Sequence, residues 1–326
     1  MMTEDRRIPV TVVTGYLGAG KTSLINHLLK NSDGRRFAVI VNELGDIGLD
    51  GELIDSGAEE LIELSSGCVC CAVRGDLVRT LRALLKGDGR FDGILIETTG
   101  VANPSPVIQT FYADQSLATR CRLDAVATIV DAIHFAANAE AEPDQADQIA
   151  QASIIFLNKA SDADAVDSVE TRLRALNPLA PVHRIDRGKA DPALLIGTGG
   201  FDLFRVGDAL NKSDPDHTHT HLAEAGIGSV ALSSDEPMDV ERLENWLRDL
   251  LKVRGNEILR TKGIIWADGS DRKLVLQAVQ MLIEGDFTAP WDEADTRTSR
   301  LVFIGRNLDA RALELGFLAC RATVTA

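Results

Sequence analysis

The sequence predicts a doubly wound, mainly parallel α/β domain followed by a smaller α+β domain. Three observations carry this expectation. Short apolar, β-branched runs alternate with helical segments over roughly the first 200 residues, the pattern of successive βα units. Each run ends in glycine, polar or acidic residues, at the point where an open parallel sheet presents its ligands. Beyond a polar stretch, strands and helices resume without such clusters, which separates a second domain. The expected boundaries are 1–205 for the first domain, 206–225 for a His-containing linker and 226–326 for the second domain.

In chain order, the run from Ile8 to Thr14 reads as a strand and leads through a glycine-rich loop into a helix beginning near Ser23. Phe37 to Val41 is a short buried-type strand that delivers Asn42, Glu43, Gly45 and Asp46 to a loop. Leu61 to Leu64 reads as another strand and ends in a cysteine cluster. The helix after it places Leu77, Leu81, Leu84 and Leu85 on one face. Further strands run from Gly93 to Ile96, ending in Glu97-Thr98-Thr99-Gly100, from Ala125 to Val130, ending at Asp131, and from Ile154 to Leu157, ending in Asn158-Lys159. In the second domain, strands are expected over 228–232, 264–266 and 301–304, and helices over 240–251, 273–283 and 309–320. Trp246, Trp266 and Trp291 read as core or interface residues rather than a cofactor box.

Charge narrows the function. Asp and Glu number 49 against 34 Lys and Arg, a net charge of −15 over 326 residues. Phosphate affinity must therefore come from a local site working against the overall field, and the charge argues against broad nucleic-acid or anionic-membrane binding. No apolar run approaches the roughly 20 residues of a membrane span, and the N-terminus lacks a signal-peptide core, so a cytoplasmic protein is expected. Three of the five cysteines are clustered, which suits metal or redox chemistry and not a secreted disulfide framework. Cys121 and Cys320 stand alone and read as core residues.

Gly15-Tyr16-Leu17-Gly18-Ala19-Gly20-Lys21-Thr22, followed by Ser23, fits the P-loop pattern in its required strand-loop-helix context. Glycines allow successive N–H groups to turn inward around a β-phosphate, and the helix N-terminus adds its positive end. Lys21 would reach the β- and γ-phosphates, and the Thr22 hydroxyl would hold the Mg²⁺ that bridges them. The bland reading is a Gly-rich turn with a solvated lysine. Glu97, at a strand end, would lie near the magnesium, while the Gly100 amide would sense a γ-phosphate. Taken alone, such a glutamate is a cap or a solvated residue. No residue stands out as a general base for water.

Asn158-Lys159-Ala160-Ser161 stands where a guanine-specific GTPase presents Asn-Lys-x-Asp, whose aspartate accepts from guanine N1 and N2. Here the fourth position is Ser161, and Asp162 lies one residue late. A hydroxyl accepts more weakly than a carboxylate and can also donate, so guanine selectivity should fall unless the loop brings Asp162 in. A loop Asn-Lys without a ligand is the alternative.

Cys68, Cys70 and Cys71 put three thiols at a helix entrance, where thiolates are favoured and soft ligands suit Zn²⁺ or another thiophilic metal. The fourth position is open to water, Glu43, Asp46, a histidine or a ligand from a receiving protein. A redox thiol cluster and buried free cysteines are the competing readings. His217, His219 and His221 alternate with threonine, so an extended segment would project three imidazoles from one side. Accessory metal capture and a solvated linker both fit that row.

Together, these motifs resemble the CobW-type metallochaperone family of P-loop GTPases. The resemblance covers nearly the whole chain, including Gly67-Cys68-Val69-Cys70-Cys71 between the P-loop and Glu97-x-x-Gly100, and Arg260-Thr261-Lys262-Gly263 before Trp266 in the second domain. It implies GTP binding and slow hydrolysis coupled to binding of zinc, cobalt or a similar metal at the cysteine motif, with delivery to a client metalloprotein. Ser161 departs from the family pattern, as does Tyr16 where Phe is common. An assembly of identical chains is compatible with the sequence. The rival readings are an ATP-using small-molecule kinase and a nucleotide-binding scaffold that transfers no metal.

Overall fold

The computed structural model describes residues 5–43, 60–65, 71–86, 91–138, 141–203, 220–222, 226–292 and 295–322. The Cα packing divides the chain into two compact units, Met1–Thr171 with Ala180–Gly200, and Arg172–Leu179 with Phe201–Ala326.

In the first unit the strands are β1 Ile8–Gly15, β2 Phe37–Glu43, β3 Glu60–Ser65, β4 Gly93–Glu97, β5 Cys121–Asp131, β6 Ile154–Asn158 and β7 Val182–Arg184. They form a sheet in the order β3-β2-β4-β1-β5-β6-β7, and every pairing is parallel. Helices α1 Lys21–Lys30, α2 Cys71–Leu84, α3 Ser105–Ala113, α4 Gln115–Ala118, α5 Ala132–Ala137 and α6 Pro143–Gln151 lie between these strands, and α7 Val166–Leu176 follows β6. All five residues of β4 and of β6 are buried, as expected for central parallel strands covered on both faces. Leu24, Ile25, Leu28 and Leu29 of α1 recur at helical spacing and pack with Val13, Val39, Leu95, Ile129 and Phe156 in one cluster. On α2, Leu77, Leu81 and Leu84 are buried, as their spacing predicts.

The second unit holds β8 Thr220–Leu222, β9 Ile227–Ser234, β10 Ile258–Trp266, β11 Arg272–Val279, β12 Leu282–Pro290 and β13 Ser299–Arg306, with helices α8 Val240–Arg254 and α9 Ala310–Leu318. The strands form an antiparallel sheet ordered β12-β11-β10-β13-β9-β8. Asp239 caps α8 by accepting the Arg242 N–H at 3.0 Å. Leu243, Leu247 and Leu251, four residues apart, then bury that helix's face against Phe303, Phe317 and Leu301. Trp291 is buried with Ile264 and Val275, while the half-buried Trp246 and Trp266 pack against the two clusters. Cys121 and Cys320 are likewise buried and unbridged.

Two expectations are corrected. The helix predicted over 273–283 is a β-hairpin, in which Val279 pairs with Leu282 across Gln280 and Met281. Seven of the eight residues of β11 are buried, so its apolar positions do not alternate, and a run buried on both faces cannot be told from a helix by periodicity. The turn carries no Gly or Asn, although Gln280 has a φ of 51°. The second correction concerns the stretch read as linker: Thr220–Leu222 pairs antiparallel with β9 and forms an edge strand.

The antiparallel sheet also buries charge in mid-strand. The Arg260 guanidinium lies 4.6 Å from the centre of the Phe201 ring, and Lys273 Nζ pairs with Asp295 Oδ2 at 2.7 Å. Burial first, then the neighbouring Arg260, holds the Lys262 ammonium well below its usual range.

Candidate functional site

The glycine-rich loop closes the C-terminal end of β1, between β4 and β5. Gly20 has a φ of 107° and forms the N-cap of α1 without any side-chain cap bond, which sets the positive end of that helix at the loop. A Cβ on Gly20 would come within 2.5 Å of Asn158 Nδ2, a second reason for glycine there. Lys21 is buried and donates from Nζ to the Gly15 carbonyl at 3.1 Å, which curls its side chain back along the loop. Leu17 is among the exposed large hydrophobics, at the crown of the loop.

The acidic partner comes from a distant segment. Thr22 Oγ1 donates to Glu97 Oε1 at 3.0 Å, and Glu97 is 2% exposed. A hydroxyl and a carboxylate are hard oxygen donors of the kind that Mg²⁺ takes, so the residues present fit that ion. Beyond Glu97, the Thr98 N–H donates to the Val13 carbonyl at 3.0 Å, and its hydroxyl donates to Thr14 Oγ1 at 2.8 Å. A Cβ on Gly100 would stand 2.9 Å from Leu17 Cα, so the loop after β4 lies directly on the P-loop. Gln148, on α6, donates to the carbonyls of Gly100 and Ala102 at 3.1 and 3.2 Å and holds this loop from behind.

The Asn-Lys segment belongs to the same end of the sheet. Asn158 is 2% exposed, and its Nδ2 donates to the Ala19 carbonyl at 2.8 Å while its Oδ1 accepts the Gly188 N–H at 3.1 Å. Lys159, in the left-handed region with a φ of 59°, pairs with Asp131 Oδ2 at 2.5 Å and approaches the Gly18 carbonyl at 3.4 Å. Asp131 also caps α5 through Oδ1, accepting from Ile133 N–H at 2.9 Å and His134 N–H at 3.1 Å. The His134 ring stacks on Tyr16 at 5.8 Å between centroids. In the sequence, Asp131 is marked only as the end of a strand, and His134 and Gln148 carry no mark of a role.

The structure thus brings Gly15 to Thr22, Glu97, Gly100, Asn158 and Lys159 together. Ser23 follows in the first turn of α1. Of the metal candidates, Glu43 is the last residue of β2 and Cys71 the first of α2, while Asp46, Cys68 and Cys70 lie outside the described residues. His217 and His219 also lie outside them, and His221 sits in β8, opposite Ser229. Among the described residues, no group of three or more His, Cys, Asp or Glu is placed to hold a metal ion. No helix among them is long and apolar enough to cross a membrane.

Comparison with known proteins adds to this geometry. The family described as CobW/HypB/UreG, nucleotide-binding domain, matches residues 9–184. The Cobalamin synthesis protein cobW C-terminal domain matches residues 227–321. The chain is 34% identical to the zinc chaperone YjiA of Escherichia coli (strain K12) over 318 residues, which cover 96% of this chain and 99% of that one. It is 33% identical to the zinc chaperone CobW of Pseudomonas aeruginosa over an alignment of 346 positions, gaps included, that covers 94% of this chain and 90% of the relative. The crystal structure of the Zn(II)-bound YjiA GTPase from E. coli superposes with a TM-score of 0.77 at 31% identity, covering 97% and 99% of the two chains.

Proposed function

Because the chain belongs to the CobW/HypB/UreG family of nucleotide-binding proteins and carries the CobW C-terminal domain, we propose that it is a GTP-dependent zinc chaperone. It hydrolyses GTP to GDP and phosphate. Lys21 and the P-loop amides bind the phosphates, and Thr22 and Glu97 would hold a magnesium ion, which would supply positive charge to the phosphate oxygens. Asn158 and Lys159 attend the base, and Gly100 responds to the γ-phosphate. Zinc is the cargo, taken by Cys68, Cys70 and Cys71 with Glu43 and Asp46 as candidate further ligands, and handed to a client metalloprotein. Cobalt suits the same thiolate set less specifically. The row of His217, His219 and His221 gathers metal for the transfer site.

The observation that carries this reading is the level at which the strands end. Val41 of β2 is in register with Glu97, and Glu43 is in register with Ser65, the last residue of β3. β3, which the cysteine segment follows in sequence, therefore ends at the same end of the sheet as the Thr22–Glu97 pair, which supports coupling between nucleotide state and metal site. Linkage makes such coupling reciprocal, at about 1–3 kcal/mol, or roughly 5–150-fold. The test is zinc affinity by chelator competition in GDP and in a non-hydrolysable GTP analogue. Different affinities in the two states, abolished by Lys21→Ala and lost with the tight site in Cys70→Ser, are expected. Equal affinities would overturn the coupled carrier.

A further inference from the structure

The residue expected to read guanine is missing from its usual place, since Ser161 stands where an aspartate is looked for. Asp162 does not fill in. It ends a short 3₁₀ turn, Ala160–Asp162, with its N–H bonded to the Lys159 carbonyl at 3.2 Å and its side chain exposed. A different carboxylate meets Ser161. Because β7 lies parallel beside β6, the loop after β7 emerges next to the Asn-Lys loop. In it, Asp186 Oδ1 accepts the Ser161 N–H at 3.0 Å. Two residues on, Gly188 lies against the main chain of Ser23 and Leu24 and gives its N–H to Asn158 Oδ1 at 3.1 Å. Asn158 thereby ties the P-loop, the Asn-Lys loop and the Asp186 loop to one another.

We propose that Asp186 is the guanine-reading carboxylate of this chain, held beside Ser161 by one hydrogen bond between the two loops. The inference rests on the GTPase reading above and adds the residue that selects the base. Guanine presents two donors side by side, N1–H and the 2-amino group, and an ionised carboxylate accepts both. Adenine presents an acceptor at N1, which a carboxylate repels. The bond from the Ser161 N–H foremost, and then the Ser161 hydroxyl, hold the Asp186 carboxyl below its usual range, so it is an acceptor at neutral pH. Selectivity for GTP should therefore survive the loss of the motif's own aspartate.

The test is competition of GDP, ADP and xanthosine diphosphate against a fluorescent guanine nucleotide or a fluorescent xanthine analogue. The parent is measured first. No GDP binding there overturns the GTPase reading, whereas GDP binding that Asp186→Asn leaves intact overturns only the role of Asp186. The expected result is that Asp186→Asn weakens GDP by roughly 10–100-fold, the worth of hydrogen bonds to a charged group. The same variant should gain xanthosine diphosphate, because xanthine carries a carbonyl where guanine has its amine and an Asn amide can donate to it. Asp162→Asn should do neither, and a base switch there would overturn the proposal. Should Asp186→Asn bind no nucleotide, the exchange variant Ser161→Asp with Asp186→Ser decides. Recovery of GDP binding supports the proposal, and failure to recover overturns it.

Discussion

Glu97 at the C-terminal end of β4 and Asp124 near the N-terminal end of β5 are both buried carboxylates, 2% and 0% exposed, yet they keep different company. Asp124 occupies the irregularity where Val10 pairs with Leu123 and Thr11 with Ala125, so it is the extra residue of a bulge. It accepts the N–H groups of Thr198 at 3.0 Å and Gly199 at 3.1 Å, and pairs with Arg122 at 2.7 Å. Permanent main-chain donors and a guanidinium thus offset the cost of burying its charge. Glu97 instead faces the Thr22 hydroxyl, which can turn toward a cation. One end of the sheet is closed by bonds that have no reason to open. At the other, the partner is exchangeable, as a ligand site requires.

The largest effect that would sharpen this contrast is on stability. Asp124→Ala leaves the buried Gly199 N–H and the half-buried Thr198 N–H without their acceptor and removes the shorter of the two Arg122 ion pairs, and should lower unfolding free energy by about 3 kcal/mol. Urea unfolding measures that loss, and GDP affinity of the folded fraction should stay at the parent value. Weakened GDP affinity would join the two ends that are here held separate.

Glu97→Gln should show the opposite profile. The amide oxygen still accepts from Thr22, so stability should stay within about 1 kcal/mol of the parent. Loss of the charge beside the magnesium should cut GTP hydrolysis by about 10–100-fold, read as phosphate release at saturating Mg²⁺. A variant that unfolded as readily as Asp124→Ala, with hydrolysis unimpaired, would break the comparison.

The smallest effect concerns Cys121, the first residue of β5, whose thiol is pushed up to about 11 chiefly by burial, against the opposing influence of Arg120 and Arg7. Between pH 9 and about 11 the unfolded chain releases this proton while the folded chain keeps it. The folded state then holds more protons, so stability falls as pH rises through that window. Near pH 10 the contribution is about 1 kcal/mol. Cys121→Ala should flatten that part of the pH profile of the urea midpoint and leave it unchanged below pH 9. An unaltered slope would show that the thiol is reached by water.

Much of the nucleotide end was legible in the chain because its devices are local. Eight contiguous residues form the phosphate loop, and glycines, lysine and threonine there act through main-chain conformation and their own helix terminus. The alternation of buried strands with helices likewise predicted the parallel sheet. The edge strand at Thr220–Leu222 and the hairpin over 272–290 were not legible. The first is a three-residue pairing inside a polar stretch. The second has a turn without turn residues and a strand buried on both faces, so neither punctuation nor period marks it.

The sequence by itself determined the phosphate loop, the acidic strand end at Glu97, the Asn158-Lys159 pair and the cysteine cluster, because each is a short run whose residue types and spacing mark it locally. Only the tertiary structure decided which of them meet. Thr22 and Glu97 are 75 residues apart, Ala19 and Asn158 are 139 apart, and Ser161 and Asp186 are 25 apart. Those contacts arise from strand order and register, which long-range packing sets. The same Ser161 that reads as a lost specificity residue in one dimension is, in three, the anchor of a carboxylate from the loop after the neighbouring strand.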